Sequence, residues 1–187
     1  MSEKDRKTQK EFAAEFIHKA QDLLKTDKGR RAALKRAAGK TMAAAGGNAL
    51  TAFYQLQGIP KFSVREEKCF AVVCAMCLWD AGVWDKAEPL IDGVRRKVPT
   101  DNLKGFEKRL QALLDLSWDA DGYFLTKLIR LVKFCKSKDV VVDSASLLAD
   151  LLAWEHESHF VQKRWVKDLY HFDNKEIDEV KETEIVK

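Results

Sequence analysis

Residues 69–79 read CFAVVCAMCLW, a run with no charged side chain. Six residues upstream, Ser63 and Glu66 stand three apart, the spacing of a capping box at a helix start. The run is therefore read as the inner part of a helix over about 64–80, apolar on nearly every side. A helix of that kind is normally the buried, central one. The remaining segments must then supply one-sided elements that wrap it.

Those segments are helical in pattern. Phe12, Ala13, Phe16, Ile17, Ala20, Leu23 and Leu24 recur at helical spacing over 3–25. Thr26 or Asp27 can cap an Ala- and Arg-rich helix over 28–38, which stops near Gly39. Residues 41–57 carry a third pattern, in which Gly46 and Gly47 mark a kink or a helix start. Residues 81–99, with Gly82, Pro89, Gly93 and Pro99, are less regular. Thr100 or Asp101 can cap a helix over 102–116. Asp119 or Asp121 can start another over 122–137. Val140–Val142 is a short β-branched linker. Asp143 caps a helix to about Trp154, and a last packed helix covers 158–172.

No strand pattern competes, and nine Gly with three Pro argue against a loop-rich all-β chain. The expected fold is all-α, a compact bundle of about eight helices. It divides into an N-terminal helix (1–26), a main helical domain (27–172) and an acidic tail (173–187). No stretch approaches the roughly 18 apolar residues of a membrane span, and the start has no apolar signal segment. Cys69, Cys74 and Cys77 sit in the apolar run and do not look like a disulfide framework. A cytoplasmic protein without membrane contact is expected.

Chemistry is sparse. On one helix the three sulfurs point too far apart to converge on a tetrahedral metal ion, so buried structural thiols are the simpler reading. His156 and His159 are three apart but do not form HExxH. Asp115, Asp119 and Asp121 read as a helix end and the cap of the next helix. No phosphate loop, dinucleotide fingerprint or nucleophile elbow is present. No catalytic residue, metal or cofactor is expected, so the chain does not read as an enzyme. Four of the five Trp fall in or beside apolar patterns. Trp84, in a Gly/Pro-bounded segment, is a core residue or a stacking contact, with core packing favoured.

Charge carries more information. The net charge is only +4. Residues 1–140 hold 27 basic and 18 acidic side chains, a net of +9, and residues 141–187 hold 6 and 11, a net of −5. Between Lys28 and Lys40 lie Lys28, Arg30, Arg31, Lys35, Arg36 and Lys40 with no acid. Lys127, Arg130 and Lys133 project from the polar side of their helix, with Lys136 near its end. Such cations either contact phosphates without reading sequence or serve solubility. Composition alone leaves both open.

The order of motifs narrows the choice. Lys108-Arg109 opens a run that ends in Leu113-Leu114. The pattern LTKLIRLV follows at 125–132. Asp143 then precedes Leu147, Asp150, Leu151 and Trp154, and Trp165, Asp168, Leu169 and Tyr170 close the series. Upstream, GRRAALKRAAG at 29–39 is followed by Phe53 and Tyr54. In order and spacing these resemble the CasB family, the small subunit of the type I-E CRISPR interference complex (Cascade). The likeness covers about 27–80 and 103–172. Residues 81–102 depart from the family pattern, and Lys108 stands where the family has its first Arg.

The resemblance implies an all-helical, non-catalytic subunit present as two copies in the complex. It implies contact with the CRISPR RNA, the target and non-target DNA, and the backbone and large Cascade subunits. The function expected is stabilisation of the R-loop and its displaced strand through the nucleic-acid backbone. The candidate surface is Arg30, Arg31, Lys35, Arg36, Lys108, Arg109, Lys127, Arg130, Lys133 and Lys136, with Lys163 and Arg164 added on charge. Arg31, Arg36, Arg109 and Arg130 match the motifs as well. The alternative is a helical scaffold that contacts only protein.

Overall fold

The computed structural model describes residues 3–59, 64–119 and 121–170. These residues form nine α-helices: α1 (Glu3–Thr26), α2 (Lys28–Ala37), α3 (Gly47–Tyr54), α4 (Val64–Met76), α5 (Leu90–Lys97), α6 (Thr100–Leu114), α7 (Tyr123–Ser137), α8 (Ser144–Leu152) and α9 (Phe160–Tyr170). A 3-10 turn covers Ala81–Lys86. A lone parallel bridge between Glu88 and Val142 is the extended pairing among the described residues. The all-α expectation holds. The proposed capping residue Ser63 and the acidic tail 173–187 lie outside the described residues.

The apolar run dictates the centre. Every residue from Lys68 to Trp79 is buried, and each fully buried large apolar side chain there contributes roughly 1.5–3 kcal/mol. α4 packs against α8, α2 and α7. α1 lies across α8 and α2, burying Ala13, Phe16, Ile17, Ala20 and Leu24. That set repeats at three and four residues, so one stripe of α1 closes the core. Lys68 is buried among apolar neighbours, yet its ammonium meets Glu155 at 2.7 Å and lies 5.3 Å from the Trp118 ring centre. A charge this deep needs such a partner.

An aromatic chain ties the C-terminal elements together. Trp154 meets Phe124 and Trp165 edge-on at 5.4 and 5.2 Å. Its indole N–H donates to the Leu116 carbonyl at 2.8 Å. Trp84 is buried, as core packing predicts. All four cysteines are free and buried.

Asp27 and Asp143 cap α2 and α8 by accepting the N–H groups of Arg30 and Ala145, each at 2.9 Å. Asp119 accepts from Tyr123 at 2.9 Å and Phe124 at 2.7 Å, fixing the start of α7. Burial works to raise the pKa of Asp119. The N–H groups of Phe124, Tyr123, Gly122 and Asp121 outweigh it and hold the carboxyl below its ordinary value.

Several boundaries differ from the sequence reading. α3 begins only at Gly47, and 41–45 is a series of turns. Neither Thr100 nor Asp101 caps α6, because both already lie in its first turn behind Pro99. The irregular stretch contains α5. Its interior Gly93 looks like a breaker in sequence, but a Cβ there would stand 2.7 Å from Val140 Cγ1. Close packing on the β-branched linker accounts for that glycine.

Among the described residues, no helix is long and apolar enough to cross a membrane.

Candidate nucleic-acid interface

The candidate cations divide by what their side chains touch. α7 supplies the central group. Lys127, Arg130, Lys133 and Lys136 fall at every third residue, so each step turns about 60° around the helix. Arg130 and Lys133 are exposed and meet no acidic partner among the described residues. Lys127 and Lys136 stand half-buried on the two flanks.

Each flank leads to a neighbouring helix. On the Lys127 side, the Arg109 guanidinium of α6 lies over the Phe134 ring of α7 at 4.9 Å. Arg109 also donates to the Gly105 carbonyl within α6. On the other side, Lys136 donates to the Leu78 carbonyl just beyond α4. The thiol of the adjacent Cys77 is pushed up to about 12 by burial, while the charges of Arg31 and Lys35 on α2 pull against that rise. α6 and α7 thus bring Arg109, Arg130, Lys133 and Lys136 onto adjoining surfaces, and Lys35 of α2 lies near Cys77 where this belt passes the C-terminal end of α4. A cation near a helix C-terminus also gains from the helix dipole, about 0.3–1 kcal/mol.

The loop after α2 extends this belt. Gly39 has φ +86°, and a Cβ there would stand 2.6 Å from Ile129 Cγ2 of α7. The turn therefore sits directly on α7. Lys40 follows, and with Arg36 it lines a pocket of about 380 Å³ at Gly46, Gly47 and Asn48. Gly46 has no side chain to cap α3, and its carbonyl instead accepts the N–H groups of Ala49 and Leu50 at 2.9 and 3.2 Å. Lys40 is absent from the candidate set, although the acid-free run 28–40 already contained it.

Other candidates are committed elsewhere. Arg31 donates to the carbonyls of Leu24 at 2.6 Å and Lys25 at 2.9 Å, closing the end of α1. Arg30 pairs with Asp27 at 3.2 Å. Arg164 pairs with Asp150, whose other oxygen accepts the Trp165 indole N–H at 2.7 Å. That ion pair lies in a cleft of about 480 Å³ that also holds Asp92, Asp143 and Asp168, a poor place for phosphate. Lys108 is exposed on α6. Lys163 lines a separate groove of about 870 Å³ between the end of α6 and α9, with Leu114, Leu116, Val166 and Lys167.

The model of the family described as CRISPR-associated protein Cse2 matches residues 30–170. The chain belongs to the Cse2 family. No curated protein sequence matches it. Among solved structures, a chain of a CRISPR RNA-guided surveillance complex is similar, with 25% identity and a TM-score of 0.67, over 87% of this chain and 93% of that one. CasB from Thermus thermophilus shares 24% identity at a TM-score of 0.66, over 84% and 97%. M. ruber CasB shares 18% identity at 0.63, over 94% and 98%, a likeness of fold.

Within this Cse2-family chain, the motif residues serve two different ends. Asp150, Trp154 and Trp165 form the buried lock between α8 and α9. Arg109 and Arg130 reach the surface of the belt. The acids and histidines considered in sequence have local roles. Asp115 follows α6 as its C-terminal cap position, and His156 Nδ1 meets the Ser158 hydroxyl at 2.8 Å.

Proposed function

We propose that this chain is a non-catalytic subunit of an RNA-guided CRISPR surveillance complex of the Cascade type. Its role is to bind nucleic-acid backbone without sequence preference and so stabilise the displaced strand of the R-loop. The observation that carries this reading is the pair Arg130 and Lys133. They stand exposed and, among the described residues, without acidic partners, between Arg109 on one side and Lys136 and Lys35 on the other. Flexible cations spread over three helix surfaces suit phosphates, whose spacing is the same in every sequence.

The energetics suit such a role. Exchanging a DNA duplex for an RNA–DNA hybrid is nearly balanced, so modest protein–backbone contacts tip it. Contacts with the CRISPR RNA, with both DNA strands, with the backbone and large subunits and with a second copy follow from the same reading. So does a place in the prokaryotic cytoplasm.

A gel-shift titration with single-stranded DNA, double-stranded DNA and RNA of unrelated sequences tests it. Binding that varies little with sequence and weakens with salt is expected. No shift of any of the three near 50 mM salt overturns it in favour of a scaffold that contacts only protein.

A further inference from the structure

The belt contains an aromatic component that charge patterning does not show. The chain has three tyrosines, and all three are about half exposed: Tyr54, Tyr123 and Tyr170. Two of them face carboxylates. Hydrogen bonding toward Glu66 raises the Tyr54 phenol pKa, and burial ahead of the charge of Glu107 raises that of Tyr170. Those surroundings repel phosphate. Tyr123 differs, because the Lys127 ammonium lies 4.8 Å from its ring centre.

Position on the helix reinforces the difference. Tyr123, Lys127, Arg130 and Phe134 are spaced by four, three and four residues, so they form one stripe along α7. At the far end, the exposed Arg109 guanidinium is stacked on Phe134. The stripe begins and ends in a flat π-surface, with two cations between. Its length is eleven residues at 1.5 Å each, about 16 Å, the span of roughly five stacked nucleotides. Asp119 does not oppose this, since its carboxylate is taken up by the N–H groups of Tyr123 and Phe124. Asp121, exposed in the preceding turn, forms a rim that phosphates avoid.

We infer that Tyr123 is a base-stacking residue, which with the Arg109–Phe134 pair makes α7 a platform for single-stranded nucleic acid. This rests on the backbone-binding reading above and adds unstacked bases to it. Single strands expose base faces and duplexes do not, so the platform selects single strands without reading sequence.

The test compares the full-length chain with Tyr123→Ala, Tyr123→Phe and the double variant Arg130→Ala, Lys133→Ala. The probes are an oligothymidine and an abasic strand of equal length. Tyr123→Ala is expected to weaken oligothymidine binding ~5- to 100-fold and to leave abasic binding unchanged. Tyr123→Phe is expected to bind like the parent. Quenching of a 2-aminopurine base in the bound strand, lost in Tyr123→Ala, reports stacking directly. Equal weakening on both probes, or no weakening on either, overturns the stacking role. In the latter case, loss of affinity in the double variant leaves the backbone reading standing. Absence of binding by the parent chain to both probes overturns the two together.

Discussion

The guanidinium carbon of Arg109 lies 4.9 Å from the centre of the Phe134 ring, joining the outer surfaces of α6 and α7. Phe134 is itself half-buried and touches Phe106 of α6 at 6.0 Å. Replacing Arg109 by Ala is expected to cost about 0.5–1 kcal/mol, the value of an exposed cation–π contact. Urea unfolding measures that loss. Binding to single-stranded DNA should fall more than stability does, because the variant also loses a phosphate contact and a flat surface.

Arg164 is expected to behave in the opposite way. Asp150 holds both Arg164 and the Trp165 indole, so Asp150→Asn leaves the half-buried guanidinium with only the longer 4.0 Å pairing to Asp168. A loss of about 1–2 kcal/mol is expected after allowance for solvent screening. Nucleic-acid affinity, measured below the unfolding transition, should not change. A rise in affinity at unchanged stability would return the released Arg164 to the binding surface.

Much of this architecture is legible in sequence, and the reasons are local. The uncharged run 69–79 identifies the central helix, and Asp27 and Asp143 cap the helices that directly follow them. What is not legible depends on distant contacts. Gly93 looks like a helix breaker until Val140 is placed against it. Lys136 looks like another surface cation, but its partner Leu78 is 58 positions away. Arg31 and Arg164 likewise count toward net charge while holding a helix end and an ion pair. Charge patterning finds cations but cannot separate those already engaged from those still free. Tyr123 is missed for a related reason, since its value comes from exposure beside Lys127 rather than from residue type.

Gly39 is a further point where local and distant constraints coincide. Its φ of +86° is unfavourable for any residue with a Cβ, and that Cβ would meet Ile129. Gly39→Ala is expected to destabilise the fold by about 1–3 kcal/mol. It should also weaken nucleic-acid binding, since Lys40 follows directly in the same turn and lines a pocket with Arg36. Thermal unfolding and a gel shift on the same preparation measure the two effects.

The thiols give a pH prediction. Burial pushes Cys69, Cys77 and Cys135 up to about 12 and raises Cys74 well above its ordinary value of 9.0. In the unfolded chain these thiols ionise near 9, so the unfolded state loses protons first as pH rises. Their contribution to stability is complete below about pH 9 and is lost progressively toward pH 12. Urea midpoints measured across that window should fall. Below it, a thiol-reactive dye should label none of the four until the chain unfolds.

In the proposed function, the exposed cations of α7 neutralise phosphates. The most direct measurement is the salt dependence of single-stranded DNA binding by the parent chain and by Arg130→Ala, Lys133→Ala. Each lost phosphate contact reduces the log–log slope by about 0.7. The double variant should fold like the parent, bind more weakly and show a slope shallower by about 1.4. Equal affinity and an equal slope in the two proteins would contradict the account.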